Sequence, residues 1–260
     1  MDNHLFYRDE GKGDPVLLLH GFAEDSTVWD NQIGPLSLTC RLIIPDLPGS
    51  GRSSALTTPI SIEVMATLIK DLLDQLKIAR ITLIGHSMGG YITLAFAALY
   101  PERLNAFGLF HSTAYPDSEE KKTTRRKAID FIRANGSAPF IRQSTPNLFS
   151  SYTREHRPQL IEATIANYSG LAPETLIAYY GAMIARPDRT AVLGQSACPV
   201  LFIIGQDDNV IPVRQALEQS YLPSISHLHL IPNTGHQAML ENPERSNQLL
   251  RDFLHFISRI

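Results

Sequence analysis

The chain has 260 residues, 43% of them apolar, and its 26 acidic and 23 basic side chains leave a formal charge of −3. That length holds one large α/β domain with an insertion, or two small domains, and the near-balanced charge argues against nucleic acid or an anionic membrane as partner. Two cysteines, Cys40 and Cys198, are too few for a disulfide framework, and no run of about 18 apolar residues exists to span a membrane. The polar start Met1–His4 lacks the basic-then-apolar order of a signal peptide, so a soluble, cytoplasmic protein is expected.

In chain order, a short first strand is expected at Leu5–Tyr7, then a turn through Glu10-Gly11-Lys12-Gly13-Asp14-Pro15. Apolar runs predict buried strands at Val16–His20 and Leu42–Ile44. Asp46-Leu47-Pro48-Gly49-Ser50-Gly51 follows as a turn. Ser61 reads as an N-cap, and Ile62, Met65, Ile69, Leu72, Leu73 and Leu76 recur at helical spacing, which predicts an amphipathic helix over 61–77. Further strands are expected at Ile81–Ile84, Leu104–Phe110, Pro199–Ile204 and His227–Ile231, with helices at Tyr91–Tyr100, Val213–Tyr221 and from Pro243 onward. Strands alternating with helices predict an α/β fold: a mostly parallel twisted sheet of about seven strands with helices on both faces. Residues 112–190 break the alternation. They hold no convincing buried strand, and helices are expected at 119–134, 138–143, 157–169 and 173–185.

The stretch Ile81–Tyr91 reads as a strand, a sharp turn and a helix with Ser87 at the apex. Glycines 85, 89 and 90 relieve the crowding that so tight a reversal creates. The Ser87 hydroxyl stands clear of the sheet, and the N–H groups that open the helix point at any oxyanion formed beside it. Gly85-His86-Ser87-Met88-Gly89 is a G-x-S-x-G nucleophile elbow, and with its flanking strand and helix the chain resembles the α/β-hydrolase family.

The resemblance implies further residues. A serine nucleophile needs a base and a group to orient it, in the chain order nucleophile, acid, histidine. The family spacing of Gly205 before and Pro212 after selects Asp208 as the acid, with Asp207 the alternative. His236, in Gly235-His236 near the end of the chain, matches the family base. His20-Gly21-Phe22 resembles the family's His-Gly-X, which makes Phe22 N–H and Met88 N–H the expected oxyanion donors. His20 is expected to stabilise its loop, His86 to fill a variable elbow position, and Asp46, Gly49 and Gly51 to be architecture. Residues 1–111 with 191–260 are then the core domain, and 112–190 resembles the family's helical cap. The substrate pocket is expected to draw on Phe22, Trp29 and Tyr91, and packing within the cap is the expected fate of Phe140, Phe149, Tyr179 and Tyr180. The run Lys121, Lys122, Arg125, Arg126, Lys127 is expected to be a solvated helix face, with a substrate carboxylate as the rarer alternative.

No metal motif and no dinucleotide fingerprint occur, so no cofactor is expected. The resemblance implies hydrolysis of a small ester, thioester or lactone through an acyl-enzyme. An amide, a carbon–carbon bond, an elimination, or slow turnover in a small-ligand receptor are the alternatives. Gln237 stands where carbon–carbon bond hydrolases often have tryptophan, Tyr91 where menaquinone-pathway lyases have arginine, and a serine nucleophile disfavours epoxide hydrolysis and dehalogenation.

Overall fold

The computed structural model describes residues 5–55 and 59–260; the Met1–His4 segment lies outside them. Seven strands form one sheet: β1 Tyr7–Gly11, β2 Asp14–Leu19, β3 Cys40–Pro45, β4 Ile81–His86, β5 Leu104–Phe110, β6 Val200–Gly205 and β7 Ser226–Ile231. Their spatial order is β1-β3-β2-β4-β5-β6-β7, with only β1 antiparallel to its neighbour.

The central strands form where apolar residues run unbroken, because both faces of the sheet are covered. Leu17, Leu19, Ile43, Leu83, Phe107 and Phe202 enter one core layer, beneath α2 (Ile62–Gln75) and α3 (Met88–Leu99). The alternate residues Val16, Leu18, Ile44, Ile84, Phe110 and Ile203 enter the other, against α1 (Asp30–Leu36) and the terminal helix Pro243–Ile257. Ser61 caps α2 as expected, its hydroxyl accepting the Val64 N–H at 3.1 Å.

Three sequence expectations change. The first strand runs over Tyr7–Gly11 and not Leu5–Tyr7, and the turn expected through Glu10–Pro15 shrinks to Lys12 and Gly13. The strand's charged residues hide it, yet it is an edge strand, and Arg41 on β3 grips Asp9 across the ladder at 2.9 and 2.6 Å. Helix α1 was not anticipated, because Gly34 and Pro35 lie inside it.

Between β5 and β6 come six helices: α4 Glu119–Asn135, α5 Ser137–Ser144, α6 Ser151–His156, α7 Pro158–Tyr168, α8 Pro173–Ala185 and α9 Thr190–Gly194. Four match the expected spans to within two residues. The short α6 and α9 carry no apolar period that would reveal them. The ends of this insertion meet, since Arg189 N–H donates to Ala114 C=O at 2.9 Å. After β6 come α10 (Val213–Ser220), α11 (Ala238–Glu241) and α12 (Pro243–Ile257).

The connection leaving β2 goes to β3 on one side, while that leaving β4 goes to β5 on the other. The crevice at this switch, beyond the carboxyl ends of β2 and β4, is where open α/β sheets place ligands. No helix among the described residues is long and apolar enough to cross a membrane.

Candidate active site

Ser87 sits between β4 and α3 at φ 50° and ψ −112°, a left-handed backbone that a serine adopts only under constraint. Its N–H donates to Phe110 C=O at 2.9 Å, and its C=O accepts the Ser112 hydroxyl at 2.7 Å. A Cβ on Gly85 would overlap the backbone of Gly89 and Gly90, so the turn closes only with glycine there. Met88 is the first residue of α3, and its N–H therefore has no acceptor within the helix.

The loop after β2 lies against this turn. A Cβ on Gly21 would come within 3.2 Å of Ser87 Cβ. The Phe22 N–H has no acceptor among the described residues. His20 holds the loop: its Nδ1–H donates to Gly21 C=O at 2.9 Å, and its Nε2 accepts Leu47 N–H at 2.9 Å. One nitrogen donates and the other accepts, so His20 is neutral, and burial pushes its pKa down. The Asp46 carboxylate accepts Ser26 N–H and Arg52 N–H at 2.8 Å each, an architectural role.

Asp208 and His236 meet at the far side of the crevice. His236 Nδ1 lies 2.8 Å from Asp208 Oδ2. Oδ1 accepts the N–H groups of Val210 and Ile211 at 2.8 and 2.9 Å. Burial alone would raise the Asp208 pKa, but His236 and His111 beside it hold the carboxyl well below the usual range. Asp207 is half-buried, and only its N–H is engaged here, donating to Thr234 C=O at 2.9 Å. The structure thus brings Asp208, rather than Asp207, to His236. No hydrogen bond among the described residues joins the Ser87 hydroxyl to His236; apo sites often close that contact only around substrate.

Four polar residues surround these groups: Glu24 and Glu241, which the sequence left unassigned, His86, expected only to fill a variable elbow position, and His111, at the end of a strand near the active edge. His111, fully buried at φ 52°, presents its Nδ1 to Asp208 Oδ2 at 2.9 Å. Burial outweighs the pull of Asp208 and lowers the His111 pKa to about 4, so the ring is neutral and its buried Nε2 has no protein partner among the described residues. Glu241 accepts the N–H groups on both sides of His236, from Gly235 at 2.8 Å and Gln237 at 3.3 Å. Its other oxygen accepts Ser150 N–H and the Thr153 hydroxyl at 2.9 and 2.7 Å, tying this loop to α6. Glu24 and His86 form a separate buried pair. The ligand atoms of His111, Asp208 and His236 lie within 4.8 Å of one another, but a cation among them would have to displace both Nδ1 protons from Asp208.

The inserted helices close over the crevice. The Phe22 ring stacks on Tyr180 at 4.2 Å between centroids and meets Phe140 edge-on at 6.2 Å. Tyr179 donates its hydroxyl to Pro48 C=O at 2.9 Å, so it is an anchor. Phe149 packs with Ile161 and Ile165 in a small cluster of the insertion. Tyr91 is buried under the Arg186 guanidinium, 3.8 Å above its ring. Trp29 is placed elsewhere than expected. It packs edge-on against Phe110 at 5.4 Å in the layer beneath α12, because the turn Ser26–Trp29 leads into α1 on that face. Arg125 departs from its run: its Nε and Nη2 donate to buried Asp117 at 2.6 and 3.3 Å, and Arg186 joins the same carboxylate at 3.0 Å.

Fold, elbow and buried carboxylate–imidazole pair define a hydrolase of the α/β type. A model of the alpha/beta hydrolase fold matches residues 14–243, and the chain belongs to that family. A thermophilic esterase from Thermogutta terrifontis, solved with malate bound, is 35% identical, superposes with a TM-score of 0.93, and is matched over 97% of this chain and 93% of its own. A 2-hydroxy-6-oxononadienedioate/2-hydroxy-6-oxononatrienedioate hydrolase from Burkholderia vietnamiensis is 29% identical over 96% of this chain and 90% of its own. The enol-lactonase of Burkholderia xenovorans shares the fold with a TM-score of 0.89 at 24% identity, over 96% of each chain.

Proposed function

We propose that the chain is a serine hydrolase of small carboxylic esters, thioesters or lactones. Ser87 is the nucleophile, His236 the base and Asp208 its orienting acid, with residues 112–190 as the cap. The observation that carries this reading is the 2.8 Å contact of His236 Nδ1 with a carboxylate that two backbone N–H groups already hold in place. Such a carboxylate fixes the proton on Nδ1 and leaves the Nε2 lone pair free to take the Ser87 proton. As Ser87 Oγ attacks the carbonyl carbon, the Phe22 and Met88 N–H groups and the positive end of α3 stabilise the oxyanion. His236 returns its proton to the departing alkoxide. It then deprotonates a water, which releases the acid from the acyl-enzyme.

In the cap, Arg125 and Arg186 share the single buried Asp117 beside Tyr180 and Tyr91.

A fluorophosphonate probe, followed by mapping of the modified residue, tests the mechanism. Label on Ser87, with turnover of a p-nitrophenyl ester lost in Ser87→Ala, is expected. Turnover surviving at the wild-type level in Ser87→Ala refutes the reading.

A further inference from the structure

The mechanism above leaves a second buried histidine–carboxylate pair unused. His86 is the last residue of β4, directly before Ser87, and is 1% exposed; Glu24, in the loop after β2, is 3% exposed. His86 Nδ1 lies 2.9 Å from Glu24 Oε2, and His86 Nε2 lies 2.9 Å from the main-chain carbonyl oxygen of His236. An ionised carboxylate and a carbonyl can only accept. A neutral imidazole has one N–H and serves one of them; an imidazolium serves both. Glu24 in turn accepts Gly21 N–H at 2.7 Å and the Gln237 side-chain N–H at 2.8 Å. These four bonds join three loops that chain order keeps far apart: the one bearing Phe22, the one bearing Ser87 and the one bearing His236.

We infer that Glu24 and a doubly protonated His86 are positioning residues, which fix the backbone of His236 and the Phe22 loop against the nucleophile turn. The inference rests on the serine mechanism proposed above. Breaking the pair moves donors and base by fractions of an ångström, a displacement to which the rate of a positioned reaction is far more sensitive than substrate affinity.

The charges facing His86 come from four elements. Glu24 attracts its proton from the β2 loop, and Asp208 does so from the β6 loop. The His236 and His111 rings face it from the β7 loop and the end of β5, with centroids at 5.0 and 6.1 Å. Burial opposes the charge, but Glu24 prevails and the His86 pKa is raised; in return the Glu24 carboxyl is held down to about 2. The raised pKa carries the charged pair to higher pH than a free imidazole allows, in keeping with the two acceptors that face the ring, and the charge is lost when His86 gives up its second proton on the alkaline side.

The decisive measurement is the nitrogen NMR spectrum of histidine-labelled protein at pH 7, with the His86 ring assigned as the signal lost in His86→Gln. Both His86 nitrogens protonated is the expected result. A singly protonated ring overturns the inference whatever the activity. The kinetic arm follows p-nitrophenyl acetate from pH 5 to 10. Glu24→Gln is expected to lower kcat roughly 10- to 100-fold at pH 7 with KM within about threefold, and to bring an alkaline fall in kcat below pH 8. Adding His86→Gln, whose amide donates at every pH, is expected to remove that fall. A folded Glu24→Gln variant with the wild-type kcat and pH profile overturns the inference; if the variant does not fold, the wild-type spectrum decides. Failure of the probe to label wild-type Ser87 refutes the serine mechanism and leaves the state of the His86 ring as a separate reading.

Discussion

Asp208 shows what a carboxylate gains from its neighbours. Two backbone N–H groups hold one oxygen, and two imidazole Nδ1–H groups the other, so all four of its acceptor sites are used. In Asp208→Asn an amide N–H on that side would face two N–H donors, and His236 would lose the partner that sets its tautomer. Hydrolysis in Asp208→Asn is expected to fall by roughly three to four orders of magnitude, as when a triad acid is neutralised elsewhere. Asp207→Asn, measured on the same ester, is expected to stay within about twofold of wild type. Equal losses in the two variants would refute the assignment. That Asp208, and not Asp207, would lie beside His236 was legible in the sequence through Gly205 and Pro212. The supporting residues were not. His86 and Glu24 are 62 positions apart, His111 and Asp208 97, so no local pattern could pair them. An acidic residue in a turn-rich loop reads as solvated until a buried histidine is found beside it.

At the scale of elements, the turn from β4 into α3 concentrates constraint in a few residues. The Gly85 site leaves no room for a side chain because the chain doubles back onto Gly89. Gly85→Ala must therefore push the first turn of α3 away from the sheet. Backbone clashes of this kind exceed the usual 0.5–3 kcal/mol of a point mutation, so a loss of about 3 kcal/mol or more is expected. Thermal unfolding checks it, and a melting temperature unchanged from wild type would show that the turn has slack. Elements with strong periodicity were the legible ones. Leu104–Phe110 and Pro173–Ala185 fall where the residues predict, since burial demands unbroken apolar runs or a regular stripe. The edge strand Tyr7–Gly11 and helix α6, Ser151–His156, were not legible: one is held by cross-strand charge and the other by its Ser150 cap and Glu241. Trp29 was misplaced for a related reason. A large apolar side chain near a site reads as pocket wall, but which face of the sheet it enters depends on α1, which Gly34 and Pro35 conceal.

For the whole molecule, buried imidazoles make stability depend on pH in opposite directions. His111 and His20 have depressed pKa values in the folded protein because burial disfavours their charged forms. The unfolded chain binds their protons first, so their contribution is complete above about pH 6.5 and is lost as pH falls. For His111 the loss runs from about 6.5 down to its folded value of about 4, at up to about 1.4 kcal/mol per pH unit. His86 has the opposite sign: its folded pKa is raised, so its contribution is complete below about 6.5 and is lost as pH rises through the folded value. The two contributions therefore overlap near about pH 6.5, with that of His111 fading toward acid and that of His86 toward alkali. His111→Asn separates the terms, because an asparagine N–H can still donate to Asp208 while the titration disappears. In urea unfolding between pH 4.5 and 7.5, the variant is expected to lose stability toward acid less steeply than wild type, by up to about 1.4 kcal/mol per pH unit. Above pH 7 the two should run parallel, because His111 is then neutral in both the folded and unfolded states. Curves that stay parallel down to pH 4.5 would mean that His111 carries its proton in the fold, and the neutral Nδ1–H contact with Asp208 would have to be replaced by an ion pair.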